Sequence, residues 1–389
     1  MIKSMKTEDV VIVGGGPVGL FMGLCLHHLG IPCTIFEKRS KIISDTRSLG
    51  IHPVSLELFE KMGIAEDFVN SGIQVKRGIA HNGEKELGSI TFEGCPPPFN
   101  YVLINPQFET ERILREKFME RCPDALIKGA EVIALNQEFD HISIDIAMGG
   151  KTESLEIGYV IGCDGKDSFV REASEIPFHG KRYPDTYIMG DFNDSTSFGN
   201  DGVIYLTKHG LVESFPIPDK KRRWVVKTDE YISEPTPEFI SQIIEQRTGN
   251  QIDHQSNSMM SAFGVQHYLA ERFVKDRVIL VGDAAHIVSP IGGQGMNLGW
   301  LDAWHLANLM SFCRGISKDL PIADLFVYES KQKPIAKKVA RRAELNMRMG
   351  RKNKIPGFKK AIATVVSGPA FQNKTAQLFT MRGLESWWI

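Results

Sequence analysis

The sequence predicts an α/β protein. It should combine a three-layer domain around a parallel sheet with an inserted, mainly antiparallel β-sheet domain and a helical C-terminal segment. Three observations carry this expectation. Apolar, β-branched runs without polar alternation recur near residues 10, 160 and 278, as expected of strands buried on both faces. Two stretches between them, around 75–105 and 181–269, read as short alternating strands. Each of the three buried runs ends in glycine followed by helical periodicity or by an Asp-Gly or Gly-Asp pair.

The elements follow in order. Val10-Val-Ile-Val13 is the first strand, residues 20–29 have helical spacing closed by Gly30, and residues 33–37 form a second strand. Together these make a βαβ unit of about thirty residues. Residues 53–62 form a short helix before Gly63, residues 75–105 are broken by Pro96-Pro97-Pro98, and residues 109–121 form another helix. Residues 130–161 read as a β-meander ending in the second buried strand. In the second β-rich stretch, residues 236–247 are the helical exception, and residues 298–312 form a helix after the third strand. The expected division is therefore 1–75, 105–180 and 270–330 for the parallel-sheet domain, 76–104 and 181–269 for the insert, and 331–389 for the C-terminal segment.

Composition narrows the function. A formal charge of −1 over 389 residues gives no global field for nucleic acid. Six scattered cysteines without metal-ligand spacing suit a reducing compartment, with the thiols acting as small hydrophobes. The N-terminus lacks a signal-peptide profile and no run reaches about eighteen apolar residues, so a cytoplasmic protein is expected. Residues 331–360 hold twelve Lys or Arg and one acid, Glu344. Such a run is ordinarily a solvated helix face. Phe358, Ala361, Ile362, Val365 and Val366, with Leu384, Trp387 and Trp388, leave weak contact with an anionic membrane as the alternative.

Gly14, Gly16 and Gly19 fit G-x-G-x-x-G between strand and helix, with Pro17 and Val18 inside the turn. The first glycine permits a tight turn, the second lets backbone approach a pyrophosphate, and the third allows helix–strand packing in a Rossmann-like unit. Glu37, 21 residues after Gly16, ends the second strand where an acid accepts ribose hydroxyls. It disfavours a 2′-phosphate, while Lys38 and Arg39 either hold one or stand as a solvated pair. Asp164-Gly165, with Ser168 and Arg171 one helical turn apart, is a second strand exit, readable also as a capped turn. Gly282-Asp283 closes the third strand, and Pro290-Ile-Gly-Gly-Gln-Gly-Met-Asn297 leads into a helix. Two glycine signatures so far apart imply one large cofactor held at both ends.

These motifs, in this order over residues 10 to about 310, resemble the group A FAD-dependent monooxygenases of the para-hydroxybenzoate hydroxylase type. Gln107 in Gln-x-x-x-Glu-x-x-Leu-Arg and Arg47 in Thr-Arg-Ser-Leu-Gly are further matches. The resemblance implies that Gly14, Gly16, Gly19 and Glu37 hold the ADP half of FAD. It places Asp283, with Gly282, at the ribityl–pyrophosphate region, Gln107 and Arg47 beside the FAD, and Asp164 where it serves FAD and NAD(P)H. Gly292, Gly293, Gly295, Met296 and Asn297 would lie against the flavin ring, with Pro290, Gly292 and Gly293 lining the peroxide site. NADPH or NADH would reduce FAD, and O₂ would add at C4a. The hydroperoxide would then hydroxylate an aromatic or polyketide- or quinolone-like molecule. No metal is expected. His52 and His286 read first as structural, and Tyr205, Phe215 and Trp224 are candidate pocket aromatics from the insert. A flavin halogenase, a geranylgeranyl-type reductase and a non-redox FAD-fold binding protein stay open as alternatives. The halogenase Trp-x-Trp-x-x-Pro motif is absent, and a non-redox scaffold has no need of a ring-edge loop.

Overall fold

A computed structural model describes residues 9–41, 48–316, 322–351, 376–377 and 379–384. Its centre is a six-stranded sheet in the order Val274–Lys275, Val278–Leu280, Tyr159–Gly162, Val10–Val13, Cys33–Glu37, Leu126–Lys128. All pairs are parallel except the antiparallel edge strand Val274–Lys275. The three buried strands expected from the sequence are therefore adjacent, with Val10 in register with both Tyr159 and Cys33. Their full burial explains the missing polar alternation. The edge strand Leu126–Lys128 is too short to stand out from the loop around it.

The helices Pro17–His28, Gln107–Arg121 and Gln294–Ile316 cover one face of this sheet. The other face carries an antiparallel sheet of Ala130–Gln137, Ile142–Met148 and Lys151–Ile157, whose inward residues Val132, Leu135, Ile144 and Ile146 join the same core. Trp300 ties the helical layer together. It lies 4.8 Å from Phe59, and its indole N–H donates to the Pro17 carbonyl at 3.1 Å.

The second unit is an eight-stranded sheet in the order His286–Ile287, Met259–Ala270, Phe178–Asn193, Lys221–Thr228, Gly210–Ile217, Gly202–Thr207, Arg77–His81, Glu86–Thr91. Its pairings are antiparallel except for Gly202–Thr207 beside Arg77–His81. Two details depart from expectation. His286–Ile287, from the segment assigned wholly to the parallel-sheet domain, joins this sheet and so stitches the two units together. The helix expected at 298–312 begins four residues earlier, at Gln294, so residues 294–297 of the presumed loop at 292–297 are its first turn.

One face of the large sheet packs on the helix Pro237–Thr248 through Tyr205, Trp224, Ile240 and Ile244. The other face looks toward the parallel-sheet unit. The basic C-terminal run begins in the helix Ile322–Gly350, which buries Leu325, Tyr328, Ala336 and Val339 in the main core. Tyr328 donates to the Leu280 carbonyl at 3.0 Å, and Lys338 Nζ donates to the Leu384 carbonyl at 3.1 Å. Leu384 is buried. Phe358, Ala361, Ile362, Val365, Val366, Trp387 and Trp388 lie outside the described residues, as does Arg47. Among the described residues, no helix is long and apolar enough to cross a membrane, and no cluster of potential metal ligands occurs.

Candidate active site

The central sheet reverses its winding between Val10–Val13 and Tyr159–Gly162, and a crevice opens outside the carboxyl ends of strands at such a point. Gly14 and Asp164 sit there. Gly14 has φ +103°, and a Cβ on it would lie 2.5 Å from the Cys163 carbonyl oxygen. Only glycine fits. Gly19 is equally constrained, since its Cβ would meet the Gly14 carbonyl at 1.9 Å. Gly16 differs: a Cβ there would find only an Arg39 nitrogen at 3.9 Å, because the position opens onto a cavity. Gly16 is also the N-cap of Pro17–His28, and no side chain caps that helix.

Glu37 is buried beneath this turn. One carboxylate oxygen accepts the Gly15 N–H at 2.7 Å, and the other accepts the Arg39 N–H and Nε at 2.8 and 2.9 Å. Burial raises its pKa, but Arg39 and the Gly15 N–H outweigh this and hold the carboxyl below its usual range. Arg39 is thus engaged with Glu37, and neither a free phosphate ligand nor a merely solvated side chain. Lys38 remains exposed at the cavity rim.

The helix Gln107–Arg121 extends this network. Glu111 accepts Arg115 Nη2 at 2.9 Å and lies 3.7 Å from Arg39, while Arg115 also donates to the Gly15 carbonyl at 3.3 Å. Gln107, one helical turn earlier, lines the cavity. Glu111 and Arg115 received no role from the sequence. Their spacing, four and eight residues after Gln107, was the available signal that one helix face addresses the glycine turn.

Asp164 Oδ2 accepts the Val170 N–H at 3.0 Å, whereas Oδ1 is buried without a partner in a carboxyl whose pKa burial raises. Ser168 caps its short helix through the Arg171 N–H at 3.0 Å. Arg171 reaches across to the Ala284 carbonyl, also at 3.0 Å, joining the second strand exit to the third. There Gly282, at φ +64°, packs on Val18. Asp283 faces the cavity while protein surrounds it. That enclosure raises its carboxyl pKa, and the charges of His286 and Lys166 act against the rise.

Behind this turn, His286 Nε2 and Asp302 form a fully buried pair, and Asp302 also accepts the Gly282 N–H at 3.3 Å. Burial opposes charge on His286, but Asp302 wins and raises its pKa. His286 does not line the cavity and supports the turn from behind.

Pro290, Gly292, Gly293, Gly295 and Met296 line the cavity. Gly292 and Gly293 have φ +92° and +64°, and the Gly293 N–H donates to the Pro290 carbonyl at 2.9 Å. His52 lies against this turn with Nε2 3.0 Å from the Gly292 carbonyl. Burial pushes its pKa down to about 4, so the ring is neutral near pH 7 and its Nε2–H donates. Asn297 does not line the cavity. It is fully buried, accepting from the His52 N–H and Ser55 hydroxyl at 2.8 Å and donating to the Gly50 and Gly293 carbonyls at 2.8 Å. In place of the expected ligand contact, Asn297 clamps the cavity-lining loop from behind. Gly19 and Gly282 likewise shape the wall from outside the lining.

The cavity measures about 1450 Å³ and runs from the glycine turn to the inner face of the large sheet, where Met189, Ile204, Leu211, Phe215, Val225 and Phe263 lie. Of the three aromatics expected there, only Phe215 arrives. Tyr205 and Trp224 point to the opposite face, and Tyr205 accepts a hydrogen bond from Asn250 at 2.8 Å. Strand alternation separates them. The polar residues on the cavity face, Glu213, Arg223 and Gln266, went unremarked in the sequence.

The crevice at the carboxyl ends of the central strands opens directly into an apolar chamber. The FAD binding domain family matches residues 7–343, and the chain belongs to this family of FAD-dependent monooxygenases. It is 30% identical over 338 residues to a rifampicin monooxygenase from Streptomyces venezuelae, covering 85% of this chain and 69% of the relative. A monooxygenase of aromatic compounds from Bacillus subtilis is 30% identical over 352 residues, 89% of this chain and 69% of the relative. Among solved structures, the OxyS anhydrotetracycline hydroxylase of Streptomyces rimosus superposes with a TM-score of 0.79 at 26% identity, over 96% of this chain and 75% of that one. The p-nitrophenol 4-monooxygenase PnpA of Pseudomonas putida gives 0.86 over 97% of both chains at 21% identity, a likeness of fold. Monooxygenase chemistry thereby displaces the reductase, halogenase and non-redox alternatives.

Proposed function

We propose that the enzyme draws electrons from NADPH or NADH and hydroxylates a phenolic ring of polycyclic, polyketide-like size. The observation that carries this reading is the single cavity of about 1450 Å³. A site for one small molecule usually measures about 300–1,000 Å³. The excess leaves room for a flavin and a sizeable apolar substrate in one enclosure, and relatives named for rifampicin and anhydrotetracycline fit that scale.

The residues present suit FAD. Gly16 leaves open the space a pyrophosphate would enter, the uncapped N-terminus of Pro17–His28 favours negative charge, and Asp164 Oδ1 lacks a partner. Gly14, Gly16, Pro17 and Val18 would meet the phosphates. Glu37, with Lys38 at the rim, would meet the ribose, and Gln107, Asp164 and Asp283 the chain between phosphate and ring. Gly295 and Met296, in the first turn of Gln294–Ile316, would present backbone N–H groups to the ring edge, stabilising negative charge there, with Gly292 and Gly293 lining the turn beside it. When bound, FAD supplies the hydride acceptance and oxygen activation. The chain orients it, excludes water with the large sheet, and keeps His52 neutral so that the 292–293 turn stays fixed.

The test is stimulation of NADPH and NADH oxidation by 2-naphthol and larger hydroxylated polycycles, with O₂ uptake and ¹⁸O₂ labelling. The expected result is faster oxidation and one labelled oxygen in the product. Oxidation that no phenol accelerates, or product without label, would contradict the proposal.

A further inference from the structure

Glu213 is a buried carboxyl to which none of the described residues gives a partner. It lies in Gly210–Ile217, in register with Ile204 on one neighbouring strand and Val225 on the other, and all three line the cavity. It is 7% exposed, and no described residue gives it a hydrogen bond or ion pair. Its alternation partners, Leu211 and Phe215, also line the cavity. The acid therefore interrupts an apolar wall facing the chamber.

Among the described residues, the cations on the neighbouring strands are committed elsewhere. Arg223 donates to both oxygens of Asp191 at 2.6 and 2.8 Å. Lys227 and Arg351 both pair with Asp185. Tyr187, whose hydroxyl is buried and unpartnered, feels the Glu213 charge as one reason its own ionisation is suppressed. Across the cavity His52 is neutral and bonded to the Gly292 carbonyl. These groups lie on the neighbouring strands Phe178–Asn193 and Lys221–Thr228, at Arg351 and across the cavity at His52. Burial alone pushes Glu213 up to about 7, so no neighbouring charge sets its protonation.

Its position matches the reaction. Leu211 and Val225, on either side of it in the sheet, pack with Ile291, which stands between Pro290 and Gly292 in the turn assigned to the flavin ring. An unpaired carboxylate in an apolar wall is costly to the folded protein unless a ligand supplies the missing donor. A phenol supplies one, and the few polar groups in an apolar pocket are what orient its occupant.

Resting on the phenolic reading above, we propose that Glu213 accepts the hydrogen bond of the substrate's ring hydroxyl and takes its proton during oxygen transfer. The O–H bond breaks, the proton moves to a Glu213 carboxylate oxygen, and the electron pair stays on the substrate oxygen. Nothing is oxidised or reduced in this step. The ring gains the electron density that an electrophilic oxygen donor needs, and a base with a pKa near the working pH suits the transfer.

The experiment uses the FAD-loaded enzyme, reading the flavin absorbance change on titration with 2-naphthol and with its methyl ether, 2-methoxynaphthalene, in wild type and Glu213→Gln. Wild type should bind 2-naphthol about ten-fold more tightly at pH 8 than at pH 6, and prefer it to the ether by a similar factor at pH 8. The ether should show no pH dependence. In Glu213→Gln, which keeps the shape but cannot ionise, the pH dependence should vanish with FAD still bound. A transition near pH 7 that survives in Glu213→Gln, or equal wild-type binding of naphthol and ether, would overturn the assignment. Binding of neither naphthalene by an enzyme that holds FAD would overturn the phenolic reading and this assignment together.

Discussion

The two ends of the cavity handle charge in opposite ways. At the glycine turn, Glu37, Arg39, Glu111 and Arg115 form a closed network that also grips Gly15 from both its N–H and its carbonyl. At the sheet end, the carboxyl of Glu213 faces an apolar chamber without a partner among the described residues. The first end is preorganised, its charges fixing the backbone of the turn proposed above to meet the cofactor. The second keeps one polar valence unspent, as a surface must if the substrate is to complete it.

This contrast can be broken at either end. The largest effect should come from Gly14→Ala, where a Cβ would lie 2.5 Å from the Cys163 carbonyl in a backbone at φ +103°. Strain and overpacking together should cost about 4 kcal/mol, seen as a lower thermal midpoint and a colourless protein. A stable, yellow Gly14→Ala protein would mean that the turn is not constrained as described.

Arg115→Ala should come next, at about 3 kcal/mol, because it strands Glu111 in a buried site with only the more distant Arg39. Urea unfolding of the apoprotein measures this. A loss below about 1 kcal/mol would place the pair among ordinary surface ion pairs.

Glu213→Gln should act with the opposite sign. Burial raises the folded-state pKa to about 7, above the ordinary glutamate value of 4.5, so the folded protein holds its proton more tightly than the unfolded chain. The resulting cost is absent below about pH 4.5, grows as pH rises toward 7, and is complete above it. The substitution should therefore stabilise the protein by about 2–3 kcal/mol at pH 8 and by almost nothing at pH 4.5, as read from unfolding curves at both. Destabilisation at pH 8 would reveal a partner that the carboxylate needs.

The smallest effect belongs to Tyr205→Phe, which loses one hydrogen bond from Asn250 on the sheet face away from the cavity. About 1 kcal/mol of stability should go, with 2-naphthol affinity unchanged. Altered affinity would show that the two faces of the sheet are coupled.

Sequence legibility also divides along the cavity. That the glycine turn, Glu37, Asp164-Gly165, Gly282-Asp283 and Pro290 onward mark strand exits and turns was readable because each is local, a few consecutive residues defining it; the structure brings them to one cavity. Asn297 was read as a contact and is a clamp, since its partners Gly50, His52 and Ser55 are some 245 positions away in sequence. Asp302 and Arg115 were missed for the same reason, as their work lies in tertiary contacts with Gly282 and Gly15. At the sheet end the available signal was alternation. In Leu211-Val-Glu-Ser-Phe, the residues at 211, 213 and 215 share a face, and an acid between two hydrophobes on that face was the mark of Glu213. The same alternation separates Tyr205 and Trp224 from the chamber.

The division of labour is tested most directly by titrating FAD into apoprotein carrying either Gly16→Val or Glu213→Gln, followed by flavin fluorescence. Gly16 has ordinary φ and open space above it, so valine there should fold normally while filling the position where a pyrophosphate approaches. Gly16→Val should weaken FAD binding by at least about 100-fold, roughly 3 kcal/mol, while Glu213→Gln leaves it unchanged. FAD bound equally well by Gly16→Val and wild type, or lost in Glu213→Gln, would contradict the placement of cofactor and substrate at opposite ends of one cavity.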